Sequence, residues 1–377
     1  MIDLPRNYAK TPQGERGVVR LVVFFLALGF CSGAWAGGKV GYGSATTVIS
    51  PSFQENVFIG FELGFEKKLG AKRAREILVT KHVNDKSLRA AITASQGLVD
   101  AGAVFLVGFP VSHDALLVGD YAQKNGILAL FGAAAHSDLA KKGPGVLSTG
   151  SSMEHLLEQL EAFLRRTFAG KRGLAVVNPY AVFSSNQVQI LKDRMAANPE
   201  LKIEIRNVSD ALVLAPNDLA DLKAGKYDYL YLTLYPDDQV ALLDQLTSAG
   251  VDKPMVTWGG PDPDILRRYI TKLKSTYYIG SPWMPDRQLT APLDKLMQAR
   301  YQRPSNSEVV IGYNLGLVAG EIVSRVKGEL TRESALKALD ENRCFAGIST
   351  KPLCFPKTGG HASLTVEFEA FVPGAKR

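Results

Sequence analysis

Several short stretches put together residue types that could do chemistry. Ser112-His113-Asp114 carries a nucleophile, a base and an acid. A hydrolytic triad needs those groups to converge from separate segments, with the base between the other two, so three consecutive residues cannot form one. No G-x-S-x-G elbow stands elsewhere. The histidines His82, His113, His136, His155 and His361 have no H-x-x-x-H spacing and the cysteines no C-x-x-C spacing, so no metal site is expected from motif. Gly41-Tyr42-Gly43 is a fragment of a dinucleotide fingerprint, with Thr46 where the third glycine belongs. Asp262-Pro263-Asp264 lacks the remaining ligands of a cation loop and reads as a helix start. The expectation is a protein without catalytic residues, metal or cofactor, and not an enzyme.

What remains is a set of polar turns where strands end. The run Val104 to Val107 passes through Gly108-Phe109-Pro110-Val111 into Ser112, with a helix expected from about Asp114. A hydroxyl and free backbone N–H groups at the positive end of a helix suit a carboxylate or another anion. Ser112 as a plain helix N-cap reads the same sequence equally well. The next strand delivers Phe131-Gly132-Ala133-Ala134-Ala135-His136, whose small residues let backbone approach a ligand closely or simply form a tight loop.

The elements that must position these turns alternate. Short β-rich runs at Val40 to Tyr42, Ile77 to Thr80, Val104 to Val107 and Ile127 to Leu130 are separated by helical patterns. The second half repeats the rhythm at Leu174 to Val177, Ile203 to Ile205, Tyr229 to Leu234, Met255 to Thr257 and Tyr277 to Ile279. Such alternation predicts parallel α/β units. Between Asp85 and Val99, residues Leu88, Ala91, Ile92, Ser95, Leu98 and Val99 share one helical face. Gly126 and Gly250 stand where left-handed helix caps would sit. The apolar stretch Val309 to Val326 is interrupted by Asn314, Glu321, Ser324 and Arg325, which predicts a packed helix rather than a membrane span. Small or rigid residues at Ser148-Thr149-Gly150 and Ser281-Pro282-Trp283 suit hinge crossings. The predicted fold class is α/β: two Rossmann-like lobes with parallel sheets, joined by a multi-strand hinge, with a ligand cleft between them. Residues 37–149 and 283–350 are assigned to the first lobe, 150–282 and 351–377 to the second.

Basic residues Arg6, Lys10, Arg16 and Arg20 lead into the apolar run Leu21 to Phe30 and then Ala34-Trp35-Ala36, the order of a cleavable signal peptide over residues 1–36. The expected location is the periplasm. Cys31 follows Phe30 rather than a small residue, which argues against lipidation. Cys344 and Cys354 would then pair in an oxidising compartment, the alternative being two buried free thiols. The formal charge is +7, and removing four basic and two acidic leader side chains leaves +5. The charges are scattered, so nucleic-acid binding is not expected.

At Val107-Gly108 through Ser112, Gly126-Ile127-Leu128 and Gly132-Ala133-Ala134-Ala135, and in the order of parts along the whole chain from Lys39, the sequence resembles the leucine/isoleucine/valine-binding proteins, which have the type I periplasmic binding fold. The resemblance implies that Ser112 and the backbone at Ala133 and Ala135 take a ligand carboxylate, and that Phe53, Phe183 and Tyr235 supply aromatic walls. Each of these aromatics, and Trp258 after the fourth strand of the second half, could instead pack behind its sheet. Two departures matter: Ala135 stands where a threonine hydroxyl is common, and Gly259 where an acid faces the ligand ammonium. An unpaired buried ammonium is costly, so an ordinary amino acid would need another carboxylate, for which Asp262 is a candidate. The implied function is capture of a small carboxylate-bearing or amino-acid-like ligand with an apolar or aromatic body, by a monomer that delivers it to an inner-membrane ABC permease. A periplasmic sensor or scaffold with the same fold is the alternative.

Overall fold

The computed structural model describes residues 37–372 apart from 46–50, 86, 88, 262, 271, 273, 282–286, 350 and 365. The expected signal peptide over residues 1–36, which includes Cys31, and Thr46, Leu88, Asp262, Pro282 and Trp283 lie outside the described residues.

The first sheet holds β1 (Lys39–Ala45), β2 (Leu78–Val83), β3 (Ala103–Gly108), β4 (Leu128–Phe131) and β5 (Val146–Ser148). The second holds β6 (Arg172–Val177), β7 (Lys202–Asn207), β8 (Tyr229–Leu232), β9 (Met255–Trp258) and β10 (Tyr277–Ser281). Near the C-terminus follow β11 (Cys344–Phe345), β12 (Leu353–Cys354), β13 (Gly360–His361) and β14 (Glu367–Phe371). The strand orders β13-β5-β4-β3-β1-β2 and β14-β10-β9-β8-β6-β7 repeat one α/β unit in both halves. All neighbours in these sheets are parallel except β14, which runs antiparallel to β10. Strands such as β3, Ala103-Val104-Phe105-Leu106-Val107-Gly108, are apolar throughout because helices cover both sheet faces.

Each strand predicted from the sequence has a counterpart here. The helix expected from Asp85 begins instead at Ala90. The Asp85 carboxylate takes the Ser87 amide at 2.9 Å and its hydroxyl at 2.7 Å, a local turn that competes with helix. Gly126 and Gly250 have φ of 59° and 67°, the left-handed geometry expected of caps. The C-terminal segment also departs from expectation. Residues 351–377 were assigned together to the second lobe, yet β12 pairs with β11 and β13 pairs with β5 of the first sheet. Only β14 joins the second sheet, so the last crossing falls between His361 and Glu367.

Helix Ser307–Arg325 is capped by Asn306, whose side chain accepts from the Val309 amide, and it is buried nearly all round. No helix among the described residues is long and apolar enough to cross a membrane. It packs instead on helix Pro51–Leu69 along a seam without side chains. A Cβ added at Gly60 or Gly64 would lie 2.1 or 2.2 Å from a carbonyl oxygen of helix Ser307–Arg325, and one at Gly312 or Gly316 1.9 or 2.2 Å from a carbonyl oxygen of helix Pro51–Leu69. The two G-x-x-x-G spacings face each other, and backbone meets backbone.

Cys344 and Cys354 stand opposite each other on β11 and β12 and form a disulfide. Closing a ten-residue separation is worth roughly 2–3 kcal/mol from loop-closure entropy. Cys354→Ser is therefore expected to lower unfolding stability by that amount, with no further loss on adding reductant. Equal midpoints for variant and parent under oxidising conditions would contradict this.

Candidate functional site

At the end of β3 the chain turns through Gly108 (φ 104°) and Phe109 (φ 42°). The turn is possible because Gly43 has no side chain: a Cβ there would lie 2.0 Å from the Phe109 ring. Gly41-Tyr42-Gly43 is thus a packing feature rather than a phosphate loop. The turn brings Val111 to the N-cap and Ser112 into the first turn of helix Ser112–Lys124, two residues before the expected start. No side chain caps that end, so Ser112 is not an N-cap. Its buried hydroxyl instead accepts a long hydrogen bond of 3.3 Å from the Ala135 amide. His113 does not join it; the His113 Nε2 is buried with no hydrogen-bond partner among the described residues.

The small-residue turn after β4 is held from behind. Thr149 donates to the Gly132 carbonyl at 2.8 Å, Ser148 to the Ala134 carbonyl at 2.6 Å and the Met153 amide to the Ala135 carbonyl at 2.8 Å. Carbonyls anchored in this way fix how the turn faces the cleft. Beyond it, His361 Nε2 donates to the His136 carbonyl at 3.0 Å, and burial pushes the His361 pKa down.

In the second lobe, Phe183 lies in the first turn of helix Val182–Ala197 and stacks on Tyr235, with ring centroids 5.3 Å apart and planes 21° off parallel. Tyr235 and Ala181 meet Val111 of the first lobe in one buried cluster. Burial raises the Tyr235 hydroxyl pKa, and Asp114 and Asp238 add to the effect while the nearby Phe183 amide opposes it. That hydroxyl makes no hydrogen bond of ordinary geometry among the described residues. Trp258, at the end of β9, both walls the cleft and packs backwards: its indole N–H donates to the Tyr231 hydroxyl at 2.9 Å, and its ring lies 5.2 Å from that of Phe368.

Ser112, Ala133, Ala135, Phe53, Phe183, Tyr235 and Trp258 all line one cleft of about 870 Å³, counted to its open mouth. Residues 83–368 match the family model described as periplasmic binding protein. The chain belongs to the periplasmic binding protein family. Members of this family bind solutes and are not enzymes. Its fold is shared with a leucine-binding protein, LivK, from Thermotoga maritima: 15% identity, TM-score 0.73, covering 89% of this chain and 99% of that one. LivJ from Streptococcus pneumoniae, solved with isoleucine, gives 13%, 0.73, 90% and 97%. A solute-binding protein from R. palustris, solved with benzoate, gives 17%, 0.73, 88% and 92%. No curated protein matches the chain by sequence.

Several walls of this periplasmic binding protein were not read from its sequence. Ser151, Leu156, Pro236, Glu308 and Ile311 also line the cleft. Ser151 follows the expected hinge crossing and was within reach of that argument. Glu308 and Ile311 come from a helix far along the chain, with no local motif to mark them. Glu308 accepts from the Asn56 side chain at 2.5 Å, and Asn56 accepts from Arg303 at 2.6 Å. Gly259 lines the cleft at φ 65°, its carbonyl held by Gln239 at 3.1 Å. Among the described residues, a Cβ there would meet Pro236, at 3.8 Å.

Proposed function

We propose that this periplasmic binding protein is the solute receptor of an ABC-type importer, capturing a small carboxylate-bearing ligand with an apolar or aromatic body. The observation that carries this is the convergence of the Ser112 hydroxyl and the 133–135 turn, at a helix N-terminus, with four aromatic side chains in one cleft. The helix start and the backbone donors favour the carboxylate. The rings of Phe53, Phe183, Tyr235 and Trp258 favour an apolar body, as in most small-molecule sites. Isoleucine in LivJ and benzoate in the R. palustris protein are ligands of this chemistry. In this reading residues 1–36 are an export signal, the protein works as a monomer in the periplasm, and an inner-membrane permease receives the ligand. Gly259, in place of an ammonium-facing acid, favours a second reading in which the fold serves a periplasmic sensor or scaffold without transport.

A thermal-shift screen of the chain lacking residues 1–36 tests the proposal. At a concentration one hundred times its Kd a ligand adds about 2.7 kcal/mol of stability. Benzoate-like acids and apolar amino acids are expected to raise the midpoint, and sugars to leave it unchanged. A response to sugars alone would overturn the reading.

A further inference from the structure

The indole N–H of Trp258 donates to the Tyr231 hydroxyl, and that hydroxyl donates in turn to Oε1 of Gln187. The direction is forced. An indole N–H can only donate, so the Tyr231 oxygen accepts and its single proton must go onward to an acceptor. Gln187 therefore turns its carbonyl to Tyr231, and its amide nitrogen is left buried with no hydrogen-bond partner among the described residues. Tyr231 and Gln187 are themselves fully buried, so neither touches a ligand. An apolar side chain at 187 would avoid the orphaned donor, but it would release the Tyr231 proton.

The three groups sit on different elements: Trp258 on β9, Tyr231 on β8 and Gln187 on helix Val182–Ala197. That helix also carries Phe183, one turn before Gln187, stacked on Tyr235. On its other side the Trp258 ring lies so close over Gly280 that a Cβ there would be 2.7 Å from it. The relay thus ties one aromatic wall of the cleft to the helix that bears the other. It also turns the only polar atom of the indole away from the ligand.

We propose that Tyr231 and Gln187 are positioning residues that fix the indole plane of Trp258 and its spacing from the Phe183–Tyr235 pair, and so set the width of ligand the cleft accepts. This rests on the reading of the cleft as the ligand site. The probes are benzoate and the wider 2-naphthoate, titrated by calorimetry, together with the Trp258 indole N–H resonance, assigned by its loss in Trp258→Phe. Tyr231→Phe is expected to shift that resonance and to change the benzoate to 2-naphthoate affinity ratio by about fivefold or more, as for a lost hydrogen bond. Gln187→Leu should reproduce both changes, and Gln187→Glu, which keeps an acceptor oxygen, should restore both. If Tyr231→Phe fails to fold, the Gln187→Leu and Gln187→Glu pair gives the same reading. An unchanged ratio or an unmoved resonance overturns the proposal while leaving the cleft as the ligand site. If the parent chain binds neither acid, the proposal falls; the reading of the cleft falls with it only if apolar amino acids fail to bind as well.

Discussion

Gly312→Ala is expected to destabilise the protein by about 3 kcal/mol, the upper part of the range for overpacking a close-packed interior. The new methyl would lie 1.9 Å from the Val57 carbonyl oxygen and 2.8 Å from the Phe61 nitrogen, and backbone atoms cannot rotate aside as a side-chain tip can. Alanine gains about 1 kcal/mol in helix propensity over glycine, which offsets only part of the clash. Gly97→Ala is the control of opposite sign. That glycine is also inside a helix, but among the described residues its Cβ would meet the flexible side chain of Lys81, no closer than 3.4 Å, so stability should rise by up to about 1 kcal/mol. Denaturant unfolding of the two variants checks both, and equal midpoints would mean that the seam between helices Pro51–Leu69 and Ser307–Arg325 is looser than described.

Ser112→Ala is expected to weaken binding of the carboxylate ligand about 10- to 150-fold, the equivalent of roughly 1.5–3 kcal/mol for a hydrogen bond to a charged group. The hydroxyl is buried at the cleft wall, and among the described residues it accepts the long hydrogen bond from the Ala135 amide. A ligand oxygen arriving there would meet both donors and the positive end of helix Ser112–Lys124. Because Ser112 does not cap its helix, the same substitution should cost only about 1 kcal/mol of stability or less. Calorimetric titration with an unfolding curve separates the two quantities, and unchanged affinity would remove Ser112 from the ligand site.

The strands and the cleft-lining turns were legible because their signals are local. β3 and β4 announce themselves as apolar runs ending in glycine, and the turns they feed carry Ser112 and the three alanines. Ser112's place in the first helical turn, rather than at the cap, was not legible: it depends on Phe109 entering the left-handed region, which Gly43 permits from another strand. The glycine seam was overlooked for a similar reason. Gly60, Gly64, Gly312 and Gly316 look like ordinary helix-weakening residues until the two helices, some 250 residues apart, are brought into contact. The crossing of β13 back to the first sheet is set by a two-residue strand, too short to leave a pattern. Glu308 entered the cleft unannounced because its neighbours there come from distant segments of the chain.

The most direct test of the central claim is a crystal structure of the protein with benzoate or with the acid that raises its midpoint furthest. The carboxylate is expected within hydrogen-bond distance of the Ser112 hydroxyl and the Ala135 amide, with the ligand body between the Phe183–Tyr235 pair and Trp258. Ligand density outside this cleft, or a carboxylate turned away from Ser112, would contradict it.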